Sequence, residues 1–82
     1  MPMANDLVWD KRMLSVFQEV AILNEEEKIV LNDWANGKSI VNTALTHHMS
    51  ERKVNYIRKT IRLKYDRVAV YTQELPKRYT RL

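Results

Sequence analysis

Between residues 39 and 65 the chain reads SIVNTALTHHMSERKVNYIRKTIRLKY, a pattern that predicts two helices joined by a very short turn. Ser50 stands where a helix N-cap belongs, its side-chain oxygen able to accept from one of the first unpaired backbone N–H groups of a helix starting at Glu51. From there Val54, Ile57, Ile61 and Tyr65 recur at three- and four-residue spacing and make one apolar stripe. Arg52, Asn55, Tyr56, Lys59 and Arg62 lie away from that stripe, so one face is built to pack and the other is left to meet a ligand. The shorter helix ahead of it offers Ile40, Val41, Ala44 and Leu45 for burial, and Met49 is an apolar plug in the turn.

Eighty-two residues suffice for one small domain, here 1–82, with 45% hydrophobic and 29% charged residues marking it as globular rather than disordered. The chain has no cysteine, so neither a disulfide framework nor a zinc finger holds it and packing must carry stability. The expected fold class is all-α, a small helical bundle of about four helices containing a helix-turn-helix. The apolar runs are too short for a membrane span, and residues 1–7 lack the features of a signal peptide, so a cytoplasmic protein with no membrane partner is expected. Charge is divided unevenly. Up to Met49 there are four Lys or Arg against seven Asp or Glu, a net −3; from Ser50 onward there are ten against three, a net +7. A basic second half attracts phosphates through a salt-sensitive term that does not depend on base sequence. Together with the two-helix pattern, it points to a helix-turn-helix whose second helix, 51–65, enters the major groove of double-stranded DNA.

The rest of the chain supplies the supports. Segment 6–22 is expected to be an N-terminal helix starting near Asp6, with Met13, Leu14, Phe17, Val20 and Ala21 on its apolar face and Trp9 and Val16 beside it. That is more apolar face than so short a chain needs, so a homodimer on DNA is expected, held by the N-terminal helix or the C-terminal tail, with Trp9, Met13 and Phe17 nearest the seam. Segment 24–65 is the core of the domain. Asn24 and Glu27 have the form of a capping box, Glu25 to Glu27 place negative charge at the positive end of a helix dipole, and Val30, Leu31, Trp34 and Ala35 give that helix its buried face. Asn36-Gly37 ends it, Gly37 being suited to the left-handed conformation of a helix C-terminus. Segment 66–82 loses helical periodicity and ends in a basic tail, Lys77, Arg78, Tyr79 and Arg81, which either touches phosphates or a groove or is an untethered soluble terminus. Val68 to Tyr71 either extends the preceding helix by a turn or forms a short extended piece, and Leu75-Pro76 discourages helix.

Catalytic chemistry finds little support. As neighbours on a helix, His47 and His48 point about 100° apart and cannot chelate one metal. Three adjacent carboxylates on a helix diverge, which makes capping the better reading of Glu25 to Glu27. With one glycine there is no phosphate-cradling loop, and no acid–base set converges. A non-enzymatic protein without metal or cofactor is expected.

Residues 23–65 resemble, without gaps, the helix-turn-helix domain shared by LuxR-type regulators and sigma factor region 4. Leu23, Asn24, Glu25 to Glu27 and Val30-Leu31 match the opening of that family. Gly37 and Ser39 match its glycine and the helix-capping residue two positions later, Ala44 its small helix-crossing residue, and Met49-Ser50 its turn. Val54 and Ile61 match buried positions of the recognition helix. Thr43 and His47 stand where the family usually carries large apolar residues. The departure predicts either that Ile40, Val41 and Leu45 compensate by a slight rotation of the helix or that the N-terminal helix packs there differently. The whole chain, through Trp9, Lys11-Arg12-Met13, Tyr65-Asp66 and Leu75-Pro76, is also similar to small sigma-like proteins of Gram-positive bacteria and their phages.

The resemblance implies a transcriptional regulator that binds DNA. The expected DNA-binding residues are Ser39, Ser50, Arg52, Lys53, Asn55, Tyr56, Lys59 and Arg62, with Arg52, Asn55 and Tyr56 on base edges and Ser39, Lys53, Lys59 and Arg62 on phosphates. A sigma-like adaptor with RNA polymerase as partner is the second reading, and a protein-interaction module with no DNA the third. Trp34, Val54, Ile57, Ile61, Leu31 and Phe17 are expected to be buried together.

Overall fold

The computed structural model describes residues 7–77. Within them the chain forms four helices, α1 Lys11–Val20, α2 Glu25–Ala35, α3 Ile40–Thr46 and α4 Glu51–Ala69, and no strand among the described residues, which makes it a small all-α bundle. The 19-residue α4 is the central element: α1, α2 and α3 all pack against it. Its stripe of Val54, Ile57, Ile61 and Tyr65 is buried, as the spacing predicts, and joins Phe17, Val30, Leu31 and Ala44 in one core.

Each helix starts on a side-chain cap. Asp10 Oδ1 accepts from Met13 N at 2.8 Å, Asn24 Oδ1 from Glu27 N at 2.8 Å, Ser39 Oγ from Asn42 N at 3.0 Å and Ser50 Oγ from Lys53 N at 3.0 Å. The capping box is complete, because Glu27 Oε1 accepts from Asn24 N at 3.0 Å. The expectation that α1 starts near Asp6 is corrected: it starts at Lys11, and Asp6 lies outside the described residues. Residues 7–9 are not helical, and Leu7 and Trp9 pack on the core. Leu7 is buried, and the Trp9 ring lies 5.3 Å from Phe17, 5.7 Å from Trp34 and 5.8 Å from Tyr65, tilted or edge-on to each.

That aromatic cluster also corrects the expected dimer seam. Met13 and Phe17 are buried within the chain and Trp9 packs partly buried on the same core, so all three already have intramolecular partners. Trp34, expected inside, is half-buried, with its ring covered by Arg58 and Arg62, whose guanidinium carbons lie 4.8 and 5.0 Å from its centroid.

Helices α2 and α3 end alike. Lys38 N donates to Asp33 O and Gly37 N to Trp34 O after α2; Met49 N donates to Ala44 O after α3. Both turns need a left-handed residue, supplied by Gly37 at φ 81° and by His48 at φ 57°. His47 is the C-cap of α3 and His48 lies beyond it, so the pair are not neighbours on one helix as expected.

The phase of α3 differs from the sequence expectation. Val41 is 48% and Leu45 74% exposed, whereas Thr43 is completely buried and Ala44 nearly so. The helix has not rotated to hide its larger apolar residues; it buries Thr43 at a polar cost. Thr43 Oγ1 has no hydrogen-bond partner, while His47 Nε2 donates to Asp33 Oδ2 at 3.0 Å and ties α3 to α2.

Past Tyr65, where the tail was expected to begin, α4 runs on for another turn to Ala69, with Val68 and Ala69 buried. The chain then folds back: Leu75 and Thr72 are buried, and Tyr65 Oη donates to Pro76 O. Apolar Leu75 returning to the core is the reason this part is not a free basic tail. Arg78, Tyr79 and Arg81 lie outside the described residues.

Candidate nucleic-acid interface

Helix α4 presents its outer face because its inner face is fully engaged. At about 100° of rotation per residue, Asn55, Lys59, Arg52 and Tyr56 fall within one arc of about 100° on the side away from Val54, Ile57 and Ile61. All four are exposed, and among the described residues their side chains make no hydrogen bond or ion pair. From Arg52 to Lys59 the helix advances about 10 Å. The structure therefore brings together four of the eight expected DNA-binding residues as one solvent-facing set of two cations, an amide and a phenol.

The other four have intramolecular roles. Ser39 and Ser50 cap α3 and α4 through their hydroxyl oxygens. Lys53 lies on one flank of the outer face with Nζ 2.6 Å from Glu26 Oε2. Arg62 lies on the opposite flank, half-buried, with its guanidinium over the Trp34 ring. Two further basic residues that sequence reasoning left out prove to be structural. Arg58 Nη2 donates to Lys38 O at 2.9 Å while stacking on Trp34, and Lys64 Nζ donates to Glu27 Oε1 at 2.6 Å and Ile22 O at 2.8 Å. Their flank positions, between the apolar stripe and the outer face, were the available signal. Of the four cations expected to meet DNA, Arg52 and Lys59 thus stand clear of the rest of the chain, whereas Lys53 and Arg62 are held by neighbours.

Exposed apolar side chains lie outside this face as well. Val41 and Leu45 stand one helical turn apart on α3, and an open groove of about 270 Å³ is lined by Val20, Ile22, Lys64, Arg67, Val68 and Tyr71. No helix among the described residues is long and apolar enough to cross a membrane. Nor does any group of three or more His, Cys, Asp or Glu among them stand ready to hold a metal ion. Comparison with known family models, curated proteins and solved structures finds no match.

Proposed function

We propose that this domain binds double-stranded DNA as a transcriptional regulator, with α3 and α4 acting as a helix-turn-helix and the N-terminal half of α4 seated in the major groove. The observation that carries the reading is the uncommitted polar face of Arg52, Asn55, Tyr56 and Lys59 on a helix whose other side is anchored by three neighbours. A helix of about 10–12 Å diameter fits a groove about 12 Å wide. In that position Arg52 has the forked donors that suit guanine, Asn55 the paired donor and acceptor that suit adenine, and Tyr56 a ring for a thymine methyl. Lys59 contributes to phosphate affinity. The test is a binding isotherm on random and on selected duplexes at two salt concentrations. Tighter binding to a selected site, with salt-dependent binding to both, supports the reading; absence of binding at low salt refutes it.

One recognition helix spans too few base pairs to single out a genomic site, which favours a homodimer on two half-sites. With Trp9, Met13 and Phe17 occupied in the core, we propose the groove of Val20, Ile22 and Tyr71 as the seam, supported by Ile22 being 90% exposed. Sedimentation equilibrium should give a dimer mass on DNA that Ile22→Glu reduces to a monomer; an unchanged dimer would reject this seam. A second reading, an adaptor that touches RNA polymerase, is favoured by Val41 and Leu45, an exposed apolar pair suited to a protein contact. Loss of polymerase capture by the doubly substituted Val41→Ser, Leu45→Ser variant, with DNA binding retained, would support it. Cytoplasmic location follows from either reading.

A further inference from the structure

Two ion pairs join the start of α2 to α4, and they differ in kind. Lys64 meets Glu27, whose side chain is only 7% exposed and also accepts from Asn24 N, and the same ammonium donates to Ile22 O. That pair is part of the scaffold. Lys53 meets Glu26 at 2.6 Å with both side chains about half exposed, 47% and 48%, and neither side chain has any other polar partner among the described residues. Glu26 is also not needed for the helix cap, which Asn24 and Glu27 complete by themselves.

An exposed ion pair of this sort contributes little to stability and exchanges partners readily. Its acid occupies the position a phosphate oxygen would take on Lys53. We propose that Glu26 is an internal phosphate mimic: it holds Lys53 back from DNA and thereby sets how strongly the domain binds duplex irrespective of sequence. The inference rests on the DNA reading above. To reach a phosphate, Lys53 must leave Glu26, and the carboxylate left behind repels the same backbone. Arg52 and Asn55, which have no such acid attached, keep their base contacts whether or not Lys53 is released. The device lowers sequence-independent attraction without touching the residues assigned to base readout.

The experiment measures binding of the full chain to a random duplex across a salt series for wild type, Glu26→Gln, Glu25→Gln and the double variant Glu26→Gln, Lys53→Met. Glu26→Gln should bind about three- to tenfold more tightly at low salt and steepen the plot of log affinity against log salt by about one unit, the signature of one added phosphate contact. Glu25→Gln makes the same change in net charge one residue away, where Glu25 faces Lys28 at 3.7 Å, and should move the slope little. The double variant should lose the added slope. Equal gains from Glu25→Gln and Glu26→Gln, an unchanged slope, or a gain that survives loss of Lys53 would each overturn the inference while leaving the DNA reading in place. Failure of wild type and every variant to bind at low salt would instead overturn the DNA reading, and the inference with it. Circular dichroism melts of each protein confirm that folded chains are compared.

Discussion

Thr43→Val should stabilise the domain, because it removes a polar atom that the fold buries without a partner. Thr43 is 0% exposed, its Oγ1 makes no hydrogen bond, and Ala44 beside it belongs to the core. Leaving a hydroxyl unsatisfied in such a place costs about 1–3 kcal/mol, and valine keeps the β-branched shape while replacing the hydroxyl with a methyl group. Helix propensity hardly changes between the two residues. The expected gain is about 1–2 kcal/mol, which for a domain of this size raises the thermal midpoint by about 4–8 °C per kcal/mol. Thermal melts by circular dichroism measure it directly, and urea titration should show a higher midpoint with an unchanged m-value. Thr43→Leu is the companion variant. At a completely enclosed site the larger side chain overpacks and should cost about 1–3 kcal/mol. A Thr43→Val protein that melts lower than wild type would refute the reasoning. It would mean that the hydroxyl has a partner after all, such as the carbonyl one turn earlier that helical threonines often use.

Arg52→Ala should relax preference at one base pair of a selected site and cost about 1–3 kcal/mol there, whereas Lys59→Ala should weaken selected and random duplexes alike and reduce the salt slope by about one; equal losses on both duplexes for Arg52→Ala would reject its assignment to a base edge. Ile57→Ala removes a buried side chain from the α4 stripe and should cost about 2–5 kcal/mol, comparable with the stability of a domain this small, so retention of the wild-type melting point would place α4 in the wrong rotational phase. His48→Gly should be neutral to stabilising by up to about 1 kcal/mol, because a left-handed residue is favourable only for glycine. Gly37→Ala should destabilise by about 1 kcal/mol through backbone conformation alone, since no atom lies within 4 Å of the added methyl; melts that rank these two substitutions the other way would refute the shared turn geometry.

What the sequence by itself determined are the features that operate within four or five residues. The box of Asn24 and Glu27, the cap at Ser50, the left-handed glycine after α2 and the stripe from Val54 to Tyr65 all involve groups held close by the chain, and each stands where local chemistry predicts. The exposed face of Arg52, Asn55, Tyr56 and Lys59 follows from that stripe, because fixing one side of a helix fixes the other. Tertiary structure decided everything that depends on residues far apart in sequence. Asp10 rather than Asp6 opens α1, where the preceding Trp9 can enter the cluster of Phe17, Trp34 and Tyr65. Helix α3 buries Thr43 and leaves Leu45 in solvent, an inversion of hydrophobic order that periodicity cannot reveal, because the face that packs is chosen by the surfaces of α2 and α4. From the sequence, Lys53 and Arg62 are expected to meet DNA alongside Arg52 and Lys59. Long side chains reach across to Glu26, Glu27 and Trp34, and that spatial competition separates Lys53, Lys64 and Arg62 from the uncommitted Arg52 and Lys59.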